Sequence, residues 1–133
     1  MDFSQFDTTK KSSEGVFLDI FAPDEMTKLA RFKIAGRDSK ILKRRQQELA
    51  KKRAGKKKIS PVEEEQDTLE TIAVCTLGWD AYDDKEEIEK EGVILDEGKE
   101  LEFSFEAAKK LYEKYPWIAE QVVEFIADRS NFL

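Results

Sequence analysis

Charge is laid out along this chain in blocks, and that layout restricts how it can fold. Residues 37–58 hold eleven Lys and Arg against two acidic residues, whereas residues 63–106 hold seventeen Asp and Glu against three Lys. Residues 1–36 sum to −1 and residues 107–133 to zero, so the net charge of the 133-residue chain is −6. A cationic block followed directly by an anionic one can fold back on itself, grip two unlike surfaces, or pair head to tail with a second copy of the chain.

Composition narrows the function classes. Charged residues make up 39% of the chain, against about 25% in an average globular domain, yet nine Phe, three Tyr and two Trp remain to build a core. The length fits one domain. There is no His, and Cys75 is the single Cys. Imidazole acid–base catalysis, Ser-His or Cys-His nucleophiles, the common zinc sites and an internal disulfide are therefore all excluded. Cys75 sits within Ala73-Val74-Cys75-Thr76-Leu77 and reads as a small core residue in a reducing compartment. No apolar run reaches the roughly 18–20 residues of a membrane span, and Met1-Asp2-Phe3-Ser4 does not open a secretory signal. The expectation is a soluble protein of the cytoplasm.

Local patterns predict an α+β domain, mainly α-helical, with an N-terminal β-hairpin followed by about four helices. It divides into an N-terminal arm and hairpin (1–36), a basic helix and linker (37–59), and a helical core with an acidic central segment (60–133). Residues 1–14 read as a polar terminus with Phe3 and Phe6 as anchors. Val16–Phe21 and Leu29–Ile34 read as the two strands, since Ala30, Phe32 and Ile34 alternate with Arg31, Lys33 and Ala35. After Gly36, Asp38 or Ser39 caps a helix running to about Ala54. Ser60-Pro61-Val62-Glu63 has the form of a capping box, and the helix it opens places Leu69, Ile72, Ala73, Thr76 and Leu77 on one face up to Gly78. Val93-Ile94-Leu95 is readable as a strand or a tucked loop. Ser104 caps a helix through Tyr112, Pro116 stops or kinks it, and Ile118, Val122, Phe125 and Ile126 mark the last helix.

Three tracts invite chemistry. In the basic block, clustered Lys and Arg would reward phosphate, but no aromatic residue is present to stack on bases, so a solvated helix face or a protein partner is the preferred reading. Between Asp80 and Glu91 the acidic residues suggest a calcium loop, with Asp80, Asp84 and Glu91 at its positions one, five and twelve. Tyr82 and Lys85 stand where an oxygen ligand and a glycine are needed, so an acidic helical surface is preferred. Neither tract supplies a catalytic pair, a metal site or a cofactor cradle. The aromatics Phe103, Phe105, Tyr112, Tyr115, Trp117, Phe125 and Phe132, with Trp79, exceed what two short helices bury; some are core, and the surplus argues for an exposed apolar patch or an oligomer interface. We expect Trp117, Phe125, Phe132 and Leu133 to bind a partner, and Phe17 and Phe32 to make contacts between copies.

Gly36-Arg37-Asp38-Ser39 before a basic helix, Trp79 after the middle helix, and the stretch from Phe103-Ser104-Phe105-Glu106-Ala107-Ala108 through Pro116-Trp117-Ile118 to Gln121–Phe132 together resemble the tail assembly chaperones of long-tailed, siphovirus-type bacteriophages. That resemblance implies a non-enzymatic, cofactor-free protein. It would bind and solubilise the tape-measure protein in the host cytoplasm during tail morphogenesis, act as a homo-oligomer, and be left out of the mature virion. It also implies that a longer, frameshifted form could recruit the tail tube protein, in which case a chain ending at Leu133 is the shorter product. The alternative is a nucleic-acid-binding accessory protein using residues 37–58.

Overall fold

A computed structural model describes every residue from Met1 to Leu133. After a 3₁₀ turn (Phe3–Phe6) come α1 (Thr9–Glu14), β1 (Val16–Phe21), β2 (Lys28–Ile34), α2 (Lys40–Arg53), α3 (Pro61–Cys75), β3 (Thr76–Tyr82) and β4 (Ile88–Glu91). Then follow β5 (Val93–Asp96), β6 (Lys99–Glu102), α4 (Phe105–Lys114), α5 (Pro116–Ala127) and a closing 3₁₀ turn (Arg129–Phe132). The strands form two antiparallel sheets, one ordered β1-β2-β3-β4 and the other the β5-β6 ribbon. Five helices and six strands in alternation, with 24% of residues in strands, replace the expected hairpin followed by four helices.

The correction has a local cause. Helical spacing running from Leu69 predicts that α3 continues to Gly78, but the helix stops at Cys75 and the chain turns extended at Thr76. From there Trp79 and Ala81 alternate with Asp80 and Tyr82, a period of two that overlaps the helical period by two residues. Pairing with β2 decides between them: Phe32 lies opposite Trp79 and Ala30 opposite Ala81, and the Cys75 carbonyl accepts from the Ala35 N–H at 2.7 Å. The acidic run 80–91 is accordingly a β-hairpin and not a helical surface.

One face of the larger sheet is apolar. Ile20, Ala30, Phe32, Ile34, Trp79 and Ala81 are all buried, and α5 packs on β1 while α3 packs on α4 and α5. Phe32 touches both Trp79 and Tyr112, with ring centroids at 5.3 and 6.3 Å. Fully burying each such side chain stabilises the fold by roughly 1.5–3 kcal/mol. Their polar tips are satisfied: Trp79 Nε1–H donates to the Leu101 carbonyl at 3.1 Å, and the Thr76 and Tyr112 hydroxyls lie 2.6 Å apart. No helix covers the other face, which carries Phe17, Asp19, Arg31 and Asp80; Arg31 stacks on Phe17 and pairs with Asp80 at 2.7 Å.

Caps start the longer helices where the sequence places them. Ser39, Ser60 and Ser104 each accept from the backbone N–H three residues on. Only half of the Ser60 capping box forms, because the Glu63 carboxylate turns to Lys56 at 2.8 Å. Pro116 opens α5 as its first residue, a position where its missing N–H costs nothing. Phe3 and Phe6 do not anchor the N-terminal arm, whose first turn buries no residue.

Candidate protein-interaction groove

A concavity of about 660 Å³ opens where three hairpin ends meet the α4–α5 junction. Its floor is apolar, built from Ile20, Ala30, Phe32, Ile94, Leu111 and Ile118. Met26, Leu29 and Leu95 stand on its lip, exposed to 79%, 40% and 56%. The alternation of β2 places Ala30 and Phe32 on the floor, and Ile94 joins them from the buried start of β5, whereas the lip comes from turns that bring residues far apart in sequence together. The β5–β6 turn shows how: Glu97 and Gly98 both have positive φ, at 52° and 75°, the form of two-residue turn that suits strand twist.

Acidic residues rim the groove. Asp83, Asp84, Glu86 and Asp96 line it, with Lys28 as the counter-charge. Asp83 is partly consumed as a turn cap, accepting from the Lys85 and Glu87 N–H groups, and Lys28 lies between Asp19 and Glu86 at 3.6 and 4.0 Å. Asp96 accepts from Lys114 at 2.8 Å and from the Tyr115 hydroxyl at 2.6 Å. Those two donors hold its carboxyl below the usual carboxylate range, with Lys114 the larger cause. They also fix Tyr115 beside Trp117, ring centroids 5.6 Å apart, so the aromatic wall is pre-set.

The residues singled out from sequence do not form one patch. Trp117 is half-buried and lines the groove. Phe125 lies eight residues further along α5, about 12 Å at the helical rise, half-buried and edge-on to Phe132 at 5.3 Å. Phe132 is fully buried and Phe32 is 1% exposed, so neither is available to a partner; both are corrected to core. The tail turns inward because Asp128 caps the last turn and Asn131 Nδ2 donates to the Phe125 carbonyl. Leu133 and Phe17 are about half exposed, the first beside Lys11 and the second beneath Arg31. Met26, Leu29 and Leu95 were missed; the Asp96-Glu97-Gly98-Lys99 turn after an apolar triplet was the one available signal.

Of the titratable side chains that line the groove, Lys28 pairs with Glu86, Asp83 caps its turn, Tyr82 donates to Asp19, Asp96 accepts from Tyr115 and Lys114, and Asp84 has no partner; no cluster of three or more metal-ligating side chains occurs. The Cys75 thiol is buried and pushed up to about 11 by that burial. In the basic helix and the lysine run after it, four cations serve the fold: Arg45 reaches Glu70, Lys52 and Arg53 share Asp67, and Lys56 pairs with Glu63. Asp67 is 2% exposed, and the Lys52 ammonium, followed by Arg53, holds its carboxyl low. No protein family, curated protein or solved structure matches the chain, and no helix is long and apolar enough to cross a membrane.

Proposed function

We propose that the protein is a non-enzymatic tail assembly chaperone, and that it keeps a tape-measure protein soluble by holding amphipathic helical segments of that client in the acid-rimmed groove. The observation that carries this reading is the pairing of an apolar floor with Met26, Leu29 and Leu95 left standing in solvent around it. An amphipathic helix presents apolar side chains at i, i+3, i+4 and i+7, and a groove of this size takes one or two such anchors. Methionine on the lip adapts to differing side chains, which suits a client whose sequence varies along its length. Carboxylates on the rim favour segments with Lys or Arg beside the apolar stripe and keep the loaded complex in solution. The sequence resemblance to tail assembly chaperones supplies the biological setting, including the host cytoplasm and absence from the mature virion.

Co-expression tests the proposal directly. A tape-measure protein that pellets alone should move to the soluble fraction with this chain present, and the Met26→Glu/Leu95→Glu variant should lose that effect while its circular dichroism is unchanged, since both side chains already face water. A tape-measure protein that pellets equally with and without the wild-type chain would refute the reading.

A further inference from the structure

Only four of the eleven cations in residues 37–58 are satisfied within the chain. Arg37, Lys40, Lys43, Arg44, Lys51, Lys57 and Lys58 are all exposed, and none makes an ion pair. Lys40, Arg44 and Lys51 fall on one stripe of α2 at spacings of four and seven, so they project together. Val62 follows the lysine run and is 71% exposed.

A matching surface of opposite sign lies elsewhere on the molecule. All four residues of the edge strand β4 are exposed, and Asp84, Glu87, Glu89 and Glu91 stand on or beside it without a cation partner. Two cations are nearby: Lys85 in the turn, and Lys90, which is bound to Glu100 at 2.8 Å. Ile88 supplies an apolar spot, 37% exposed, in the middle. Within one chain these surfaces do not meet. The main packing partner of α2 is α3 and that of β4 is β3, and no ion pair joins residues 37–58 to residues 76–106.

We infer that the exposed basic face of α2, with the lysine run that follows it, docks on the acidic β4 edge of a second copy of this chain, head to tail. Complementary charge favours this occupant over others, because donor and acceptor surfaces are both present on every copy and each would repel its own kind. A contact between two different surfaces of one molecule is heterologous, so each added copy presents a fresh donor and a fresh acceptor, and the series stays open unless its rotation closes a ring. The inference stands apart from the client reading, since of the acidic residues of this docking surface only Asp84 lines the groove, and Glu87, Glu89 and Glu91 do not.

Sedimentation velocity of the full chain at 50 and 500 mM NaCl tests it, with two charge-reversal variants, Lys40→Glu/Arg44→Glu/Lys51→Glu and Glu87→Lys/Glu89→Lys/Glu91→Lys. Wild type should show a weight-average mass that keeps rising with concentration at low salt, and self-association weakened at least about tenfold at high salt, where screening shortens to a few ångströms. Each variant alone should be monomeric with unchanged circular dichroism, and an equimolar mixture should associate again, because one then carries only acidic faces and the other only basic ones. A monomeric wild type at high concentration and low salt would overturn the inference. So would association that survives either reversal, or a basic-face variant that loses a labelled DNA duplex while sedimenting as wild type does.

Discussion

Gly36→Ala offers a stringent test of the packing, because the cost is steric alone. Gly36 is buried at the turn between β2 and α2, in a backbone conformation that alanine also adopts, so no strain comes from φ. A Cβ built there falls inside van der Waals distance of Ser12 Oγ and within 2.7 and 2.8 Å of two ring carbons of Phe132. Ser12 and Phe132 are both fully buried, and the Gly36 N–H donates to the Ser12 carbonyl at 2.8 Å, so none of the three can withdraw freely. Overpacking of this kind costs about 1–3 kcal/mol, and two simultaneous clashes place this case near 2–3 kcal/mol. Ser12→Ala should be close to neutral alone, since its Oγ is buried without a hydrogen-bond partner, and it removes one of the two clashes. Urea denaturation of wild type, both single variants and the double variant should therefore give a favourable coupling of about 1 kcal/mol. A Gly36→Ala loss under about 0.5 kcal/mol, or additivity of the two changes, would refute the claim that this turn is packed against both termini.

Acid should unfold the protein through a few identifiable carboxyls. Asp38, held low chiefly by Arg129, Asp67 by Lys52 and Asp96 by Lys114 all lie below the ordinary aspartate value of about 3.9 when folded. Their stabilisation is full above that value and is lost as pH falls through it toward the folded pKa. Thermal midpoints should drop steeply below about pH 4, and Asp67→Asn should flatten that limb while lowering the plateau, because Arg53 loses its buried partner. Cys75, fully buried with its thiol raised to about 11, should react with a disulfide reagent only as fast as the protein opens, so its rate should rise with urea in step with global unfolding.

The parts of this fold that announce themselves are those set by neighbours in sequence. Ser39, Ser60, Ser104 and Pro116 begin helices because a cap or a proline acts within one turn. Phe32 was legible as core from its alternation with Arg31 and Lys33, and its assignment to contacts between copies ran against that signal. β3 hid because a helical and a strand period share Thr76 and Leu77, and only the partner strand β2 resolves them. β4 buries nothing, so no apolar pattern could mark it. Phe132 reads as a frayed terminus until Asn131 and Asp128 are seen to fold it back. The groove was the least legible feature, because Met26, Leu95 and Trp117 meet only through tertiary structure.

The sheet edges bear on how copies could meet. A four-stranded sheet open at both ends invites edge-to-edge growth, which for a chaperone would mean aggregation. At one end, α5 packs on β1, and the Gln121 amide both accepts from the Phe21 N–H and donates to the Phe21 carbonyl, each at 2.9 Å, in place of a neighbouring peptide. At the other, β4 is four residues long, three of them charged, and is bulged against β3. Short, charged and irregular edges resist strand addition. Association routed through the side chains of α2 and β4 would escape that hazard. It depends on screened charge and not on a continuous hydrogen-bond ladder, so copies could add along a client and leave it again as ionic conditions or a competing surface change.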